Sequence, residues 1–179
     1  QADPVHFSTS EEAAAELVGL LRGLADARGS QWRDGDWLSV QRGPYVIGAT
    51  LSEATEATTV RGSFIDLLDP ALPVVQTATV PPSGVALLRD LTYEPEEGAV
   101  LASAGRIDEV RFVERGLQFD VEAPTRIDVV TAVRLAGRPR EVLLDGTIAQ
   151  SWSHDEAAGI MWIRHPGDPS GTKVHIALM

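Results

Sequence analysis

After Ser30 the chain is a succession of short apolar or β-branched runs, cut apart by glycine, proline and aspartate. The runs are DWLSVQRG, YVIGATLS, TTVRGSFIDLL, PVVQTATV, GVALLRDL, AVLASAGRIDEVRFVER, GLQFDVEA, RIDVVTAVRL, REVLLDGTIA, IMWIRHP and KVHIALM. Alternation is explicit at Leu117, Phe119 and Val121, at Ile127 and Val129, and at Val174, Ile176 and Leu178. That two-residue period sets one face of a strand against a core. Parallel strands need crossover connections, usually helical, and this stretch has no helical period to supply them. The expected fold is mainly β, an antiparallel β-sandwich with one N-terminal helix.

The helix lies in STSEEAAAELVGLLRGLADARGS. Ser8 with Glu11, or Thr9 with Glu12, has capping-box spacing. Leu17, Leu20, Leu21 and Leu24 form one stripe, and Gly29 is placed to stop the helix. Gly19 and Gly23 weaken its intrinsic propensity, so it is expected to lean on the following domain or on a neighbour. The organisation that follows is a helical segment over 1–29, the end of a preceding domain or a linker, then a β-sandwich domain over 30–179. A chain of 179 residues suits one domain with such an appendage. It can bury roughly two-thirds of its unfolded surface.

Charge narrows the partners. With 26 acidic residues against 15 basic ones the net charge is −11, which repels a phosphate backbone and argues against nucleic acid. The absence of cysteine removes disulfides, thiolate chemistry and Cys-ligated zinc. No apolar run reaches the ~20 residues of a membrane helix. The opening QADPVHF has neither the basic nor the apolar region of a signal peptide, and a start at Gln1 suggests a longer precursor.

Two turns stand out. Gly43-Pro44 is a rigid corner before Tyr45, Val46 and Ile47, which read as a buried strand, with Gly48 marking a bulge or a close backbone approach. Asp145-Gly146 is a two-residue type I′ hairpin signal, and SHDEAAG reads as a longer polar loop before the next strand.

Candidate chemistry is sparse. Asp66 and Asp69 in FIDLLDP are close carboxylates, although Asp69-Pro70 also reads as a strand-ending turn. Asp34 and Asp36 are the pair a calcium ion would use, without EF-hand spacing; otherwise no cofactor is expected. The histidines His6, His154, His165 and His175 lack metal spacing, and no GxSxG elbow exists for a hydrolytic triad. Exposed indole and phenol rings stack on sugar faces, so the ligand-binding candidates are Trp32, Trp152 and Tyr93, with His154 and Asp155 beside them. Packing is the competing role for each aromatic. Trp162 reads as core, and Trp37 as packing against the helix.

RGPYVIGATLSE, RGSFIDLLDPALPVV and PPSGVALLRDL resemble a C-terminal all-β domain that follows the catalytic domain in multidomain bacterial glycoside hydrolases. The corresponding family motifs run like RGPYVIAAxxDES, GxFIDLFDPxLPV and PGExALLYDL. This chain departs at Pro82-Ser83-Gly84 and at Arg89, which stands for a tyrosine. VLLDGTIAQSWSHDEAAGIMWIRHP is also similar to the closing hairpins of sandwich domains in many glycosidases, with His154 in place of a tyrosine. The likeness covers roughly 30–179 and brings no catalytic residue with it. It implies a non-catalytic accessory domain whose partners are the catalytic domain of a glycoside hydrolase and an oligo- or polysaccharide, in an extracellular or periplasmic setting. A free-standing carbohydrate-binding module is the alternative. A small hydrolase or lyase using Asp66, Asp155 and His154 is the third reading.

Overall fold

The computed structural model describes residues 10–30, 35–93, 98–114 and 116–179. The chain divides into two compact units, Gln1–Asp36 and Trp37–Met179.

In the first unit, helix α1 spans Glu11–Ala27. Ser10 caps it from an extended conformation, its Oγ accepting from the Ala13 N–H at 3.2 Å. The cap therefore falls on the last hydroxyl before the helix-forming run, and Ser8 and Thr9 lie outside the described residues. Gly29, at φ +70°, ends the helix as expected. Its N–H reaches Asp26 O at 3.0 Å and that of Ser30 reaches Ala25 O at 2.9 Å, the two bonds of a Schellman motif. Leu20, Leu21 and Leu24 of the apolar stripe are exposed.

The second unit is antiparallel β throughout. Its strands are β1 (Trp37–Arg42), β2 (Tyr45–Thr50), β3 (Thr58–Asp66), β4 (Val74–Val80), β5 (Val85–Asp90), β6 (Ala99–Ser103) and β7 (Arg106–Val113). Then follow β8 (Gly116–Glu122), β9 (Asp128–Arg134), β10 (Pro139–Leu144), β11 (Thr147–Ile148), β12 (Trp152–Asp155), β13 (Ile160–Pro166) and β14 (Thr172–Leu178). They form sheet A, ordered β1-β2-β5-β3-β4, sheet B, ordered β12-β13-β9-β6, and sheet C, ordered β11-β10-β14-β8-β7.

Sheet B is the middle layer, and β9 shows why. In DVVTAVR the residues Val129 to Val133 are all buried, because both faces of the strand meet another sheet. Val129 and Val133 join Leu117, Phe119, Val121, Val174 and Ile176 of sheet C. Val130 and Ala132 join Ile65, Leu72 and Leu91 from sheet A and its turns. Expected alternation at Ile127 and Val129 fails for this reason: Ile127 precedes the strand and is exposed, and the strand itself is apolar on both sides. Trp162 on β13 lies in the same interlayer core and donates its indole N–H to Leu72 O at 2.8 Å.

The other face of sheet A is concave. Trp37 of β1 and Val75, Ala78 and Val80 of β4, from opposite ends of the sheet, share one cluster with Phe64, Ala86 and Leu88. The sheet is therefore curled. Gly48 is the close approach anticipated for it, because the Trp37 indole occupies the space a Cβ there would need.

The turns obey their chemistry. Gly43, at φ +54°, and Pro44 close the two-residue β1–β2 hairpin with Gly at the first central position. Asp145 and Gly146, at φ +50° and +80°, make the type I′ turn between β10 and β11. Two expectations change. AVLASAGRIDEVRFVER is two strands, β6 and β7, assigned to different sheets. The first half of SHDEAAG is strand β12 rather than loop, paired with β13.

Substituting Gly48→Ala should lower stability by about 1–3 kcal/mol, read from urea unfolding followed by tryptophan fluorescence, as expected for overpacking beneath Trp37. An unchanged midpoint would mean the indole moves aside freely.

Candidate functional site

The convex face of sheet A carries three cross-strand rows fixed by register. The first is Leu38–Ala49–Val85, the second Val40–Ile47–Leu87, and the third Arg42–Tyr45–Arg89–Ile65–Val74. The third row runs under sheet B, where Ile65 and Val74 are part of the interlayer core. The first two have nothing of the β unit above them. Leu38 is 59% exposed, Val40 53%, Ile47 42% and Val85 64%. Together with Leu68 they line a shallow apolar depression of about 530 Å³. Tyr45, Val46 and Ile47 were expected as a buried strand. Only Val46, on the concave face, is half-buried with the core, because the convex face runs past the edge of sheet B.

Tyr45 stands between two further clefts. One, of about 360 Å³, lies between the β3–β4 turn and Leu101–Ala104. The other, of about 470 Å³, reaches Arg89, Gly98–Ser103, Val110 and Phe112. Arg89, only 8% exposed, donates from Nη1 to the Tyr45 hydroxyl at 3.2 Å and holds its guanidinium 5.5 Å from the ring centroid.

Sheet C presents a contrasting outer surface. A groove of about 670 Å³ is lined by Arg106, Asp108, Glu109, Asp120, Glu122, Asp145 and Lys173. Arg106 pairs with Asp108 at 3.0 Å and with Glu122 at 3.5 Å, and Arg111 with Glu109 at 2.6 Å. All are exposed pairs of small energetic worth. No group of three or more His, Asp or Glu able to hold a metal ion occurs among the described residues. Of the calcium pair, Asp36 is exposed and Asp34 lies outside the described residues.

The ligand-binding candidates from sequence are distributed as follows. Trp32 lies outside the described residues. Trp152, His154 and Asp155 are all on the edge strand β12, where alternation puts Trp152 and His154 on one side and Asp155 on the other. His154 borders a cleft of about 330 Å³ with Leu135–Arg138, Glu156 and Gly159. The Asp155 carboxylate accepts from the Ala157 and Ala158 N–H groups at 2.9 and 3.1 Å, capping the β12–β13 turn. Tyr93 is exposed just beyond β5, at the end of a different sheet. Asp66 and Asp69 likewise accept from Leu68 and Ala71 N–H at 3.0 and 2.8 Å, local turns of the kind Asp favours. His165 is buried, with Nδ1 2.8 Å from Pro166 O and Nε2 without a partner.

Sequence reasoning passed over Val110 and Phe112, which read as ordinary members of the run EVRFVER. Phe112 is opposite Leu117 and so lies on the core-facing side of the edge strand β7. The 44% and 68% exposure of Val110 and Phe112 arises because that end of the strand runs past the covering layer. Tyr45 was noticed, but its link to Arg89, 44 positions away, depends on the β2–β5 register.

Comparison with protein-family models gives no match, and neither does comparison with curated proteins. Among solved structures, a GH31 dextranase mutant from Flavobacterium johnsoniae, complexed with isomaltotriose, aligns with a TM-score of 0.38 at 10% sequence identity. The alignment covers 75% of this chain and 26% of the dextranase, so the chain spans about a quarter of that enzyme's length.

An Asp155→Ala substitution should cost about 1 kcal/mol in chemical denaturation, the loss of two charge-assisted but exposed bonds. An unchanged midpoint would free that carboxylate for another role.

Proposed function

We propose that this chain is a non-catalytic accessory β domain of a glycoside hydrolase. It docks on the enzyme's catalytic domain through the two uncovered apolar rows of sheet A. The observation that carries the reading is that Leu38, Val40, Ile47 and Val85 stay exposed side by side on a regular sheet face. Contiguous apolar surface of this kind marks an interaction site in a soluble protein. Ile47, Ala49, Leu68, Val85 and Leu87 all fall within the three motifs that resemble the accessory domains of glycoside hydrolases. The occupant is therefore read as the catalytic domain such modules accompany, in an extracellular or periplasmic setting. The carboxylates of Asp66 and Asp155 are occupied by local turns, which weighs against the small-hydrolase reading.

The test is co-expression with the polypeptide encoded upstream of Gln1. The two should co-purify, and Val40→Asp with Val85→Asp should weaken the complex about 30-fold or more with the far-UV spectrum unchanged. The reading fails if no hydrolase domain is encoded there, which would favour the free-standing module. It also fails if the purified chain forms a symmetric dimer that buries this face.

A further inference from the structure

We propose that the cleft between Tyr45 and Phe112 is a saccharide-binding subsite, in which a pyranose ring lies on the Phe112 face and accepts a hydrogen bond from the Tyr45 hydroxyl. Only the choice of ligand class rests on the glycoside hydrolase reading; the site itself stands on four features of the cleft.

First, Phe112 is 68% exposed, and it has a prepared seat. Its ring lies over Gly98, where an added Cβ would come 2.5 Å from Phe112 Cε1 and where φ is +83°. Second, the Tyr45 hydroxyl accepts from Arg89 Nη1, so its own proton is left to donate. A buried guanidinium behind the oxygen makes that donor stronger. Third, the cleft is about 470 Å³, within the ~300–1,000 Å³ typical of small-ligand sites. Fourth, the wall between the aromatics is β6, an edge strand whose outward backbone groups offer further polar contacts. Ser103 adds none of these, since its Oγ is bonded to Thr131 Oγ1 at 2.8 Å and to the Gly105 N–H at 3.1 Å.

A ring with an apolar face and hydroxyl edges matches this combination. An extended peptide pairing with the open strand is the competing occupant. The register shift between Val100 and Ala102 interrupts the even ladder that such pairing needs.

The test titrates the full chain, labelled for amide NMR, with malto-, isomalto-, cello-, xylo- and galacturono-trisaccharides. At least one should shift the amides of Tyr45, Ala99–Ser103 and Phe112. Phe112→Ala should weaken that binding about tenfold with unchanged melting temperature. Tyr45→Phe, which keeps the ring but takes an acceptor from the buried Arg89, should weaken it several-fold with the far-UV spectrum unchanged. The proposal is overturned if no trisaccharide shifts those amides, if binding survives both substitutions, or if the shifts map to Trp152 and His154 on β12. The titration uses the chain alone, so its failure is distinguishable from a failure to co-purify with a catalytic domain.

Discussion

Burial of β9 on both faces is the constraint on which the rest depends. A strand with no polar side can exist only as a middle layer, so Val129 to Val133 require one sheet above and another below. Sheet C satisfies one side with the clean alternation of β8 and β14, whose outer faces meet solvent. Sheet A satisfies the other, but it is wider than the surface offered to it. It also curls to close its own small core around Trp37 and Phe64. The uncovered rows on its convex face follow directly from that mismatch.

The same mismatch sets the chemistry of the Tyr45 corner. The row containing Tyr45 and Arg89 marks the boundary where sheet A passes from covered to uncovered. Ile65 and Val74, farther along that row, are under sheet B, and Tyr45 is at its rim. Arg89 is buried beside Tyr45, its Nη1 on the phenol oxygen. An aromatic ring and a hydroxyl are thereby kept at the rim with a cation behind them.

Local signals were legible from sequence to the extent that they were local. Gly29, Gly43, Gly48 and Asp145-Gly146 each announced a backbone requirement, and each meets it in the structure. The alternation at Leu117, Phe119 and Val121 marked a half-buried strand because its partners lie on one side only. Ile127 and Val129 misled because a strand buried on both faces has no period to read. The exposed rows and the Tyr45–Phe112 cleft were hidden for a different reason. They are built by register between strands distant in sequence, and an apolar residue looks the same in a run whether or not another layer covers it.

The apolar rows also bear on how the molecule behaves in solution without a cover. At neutral pH a net charge of −11 opposes the approach of identical copies through the greasy strips they display. Near the isoelectric point of about 4.7 that repulsion vanishes while the strips remain. Mild acid should therefore favour clouding through these strips by removing the repulsion that opposes their contact.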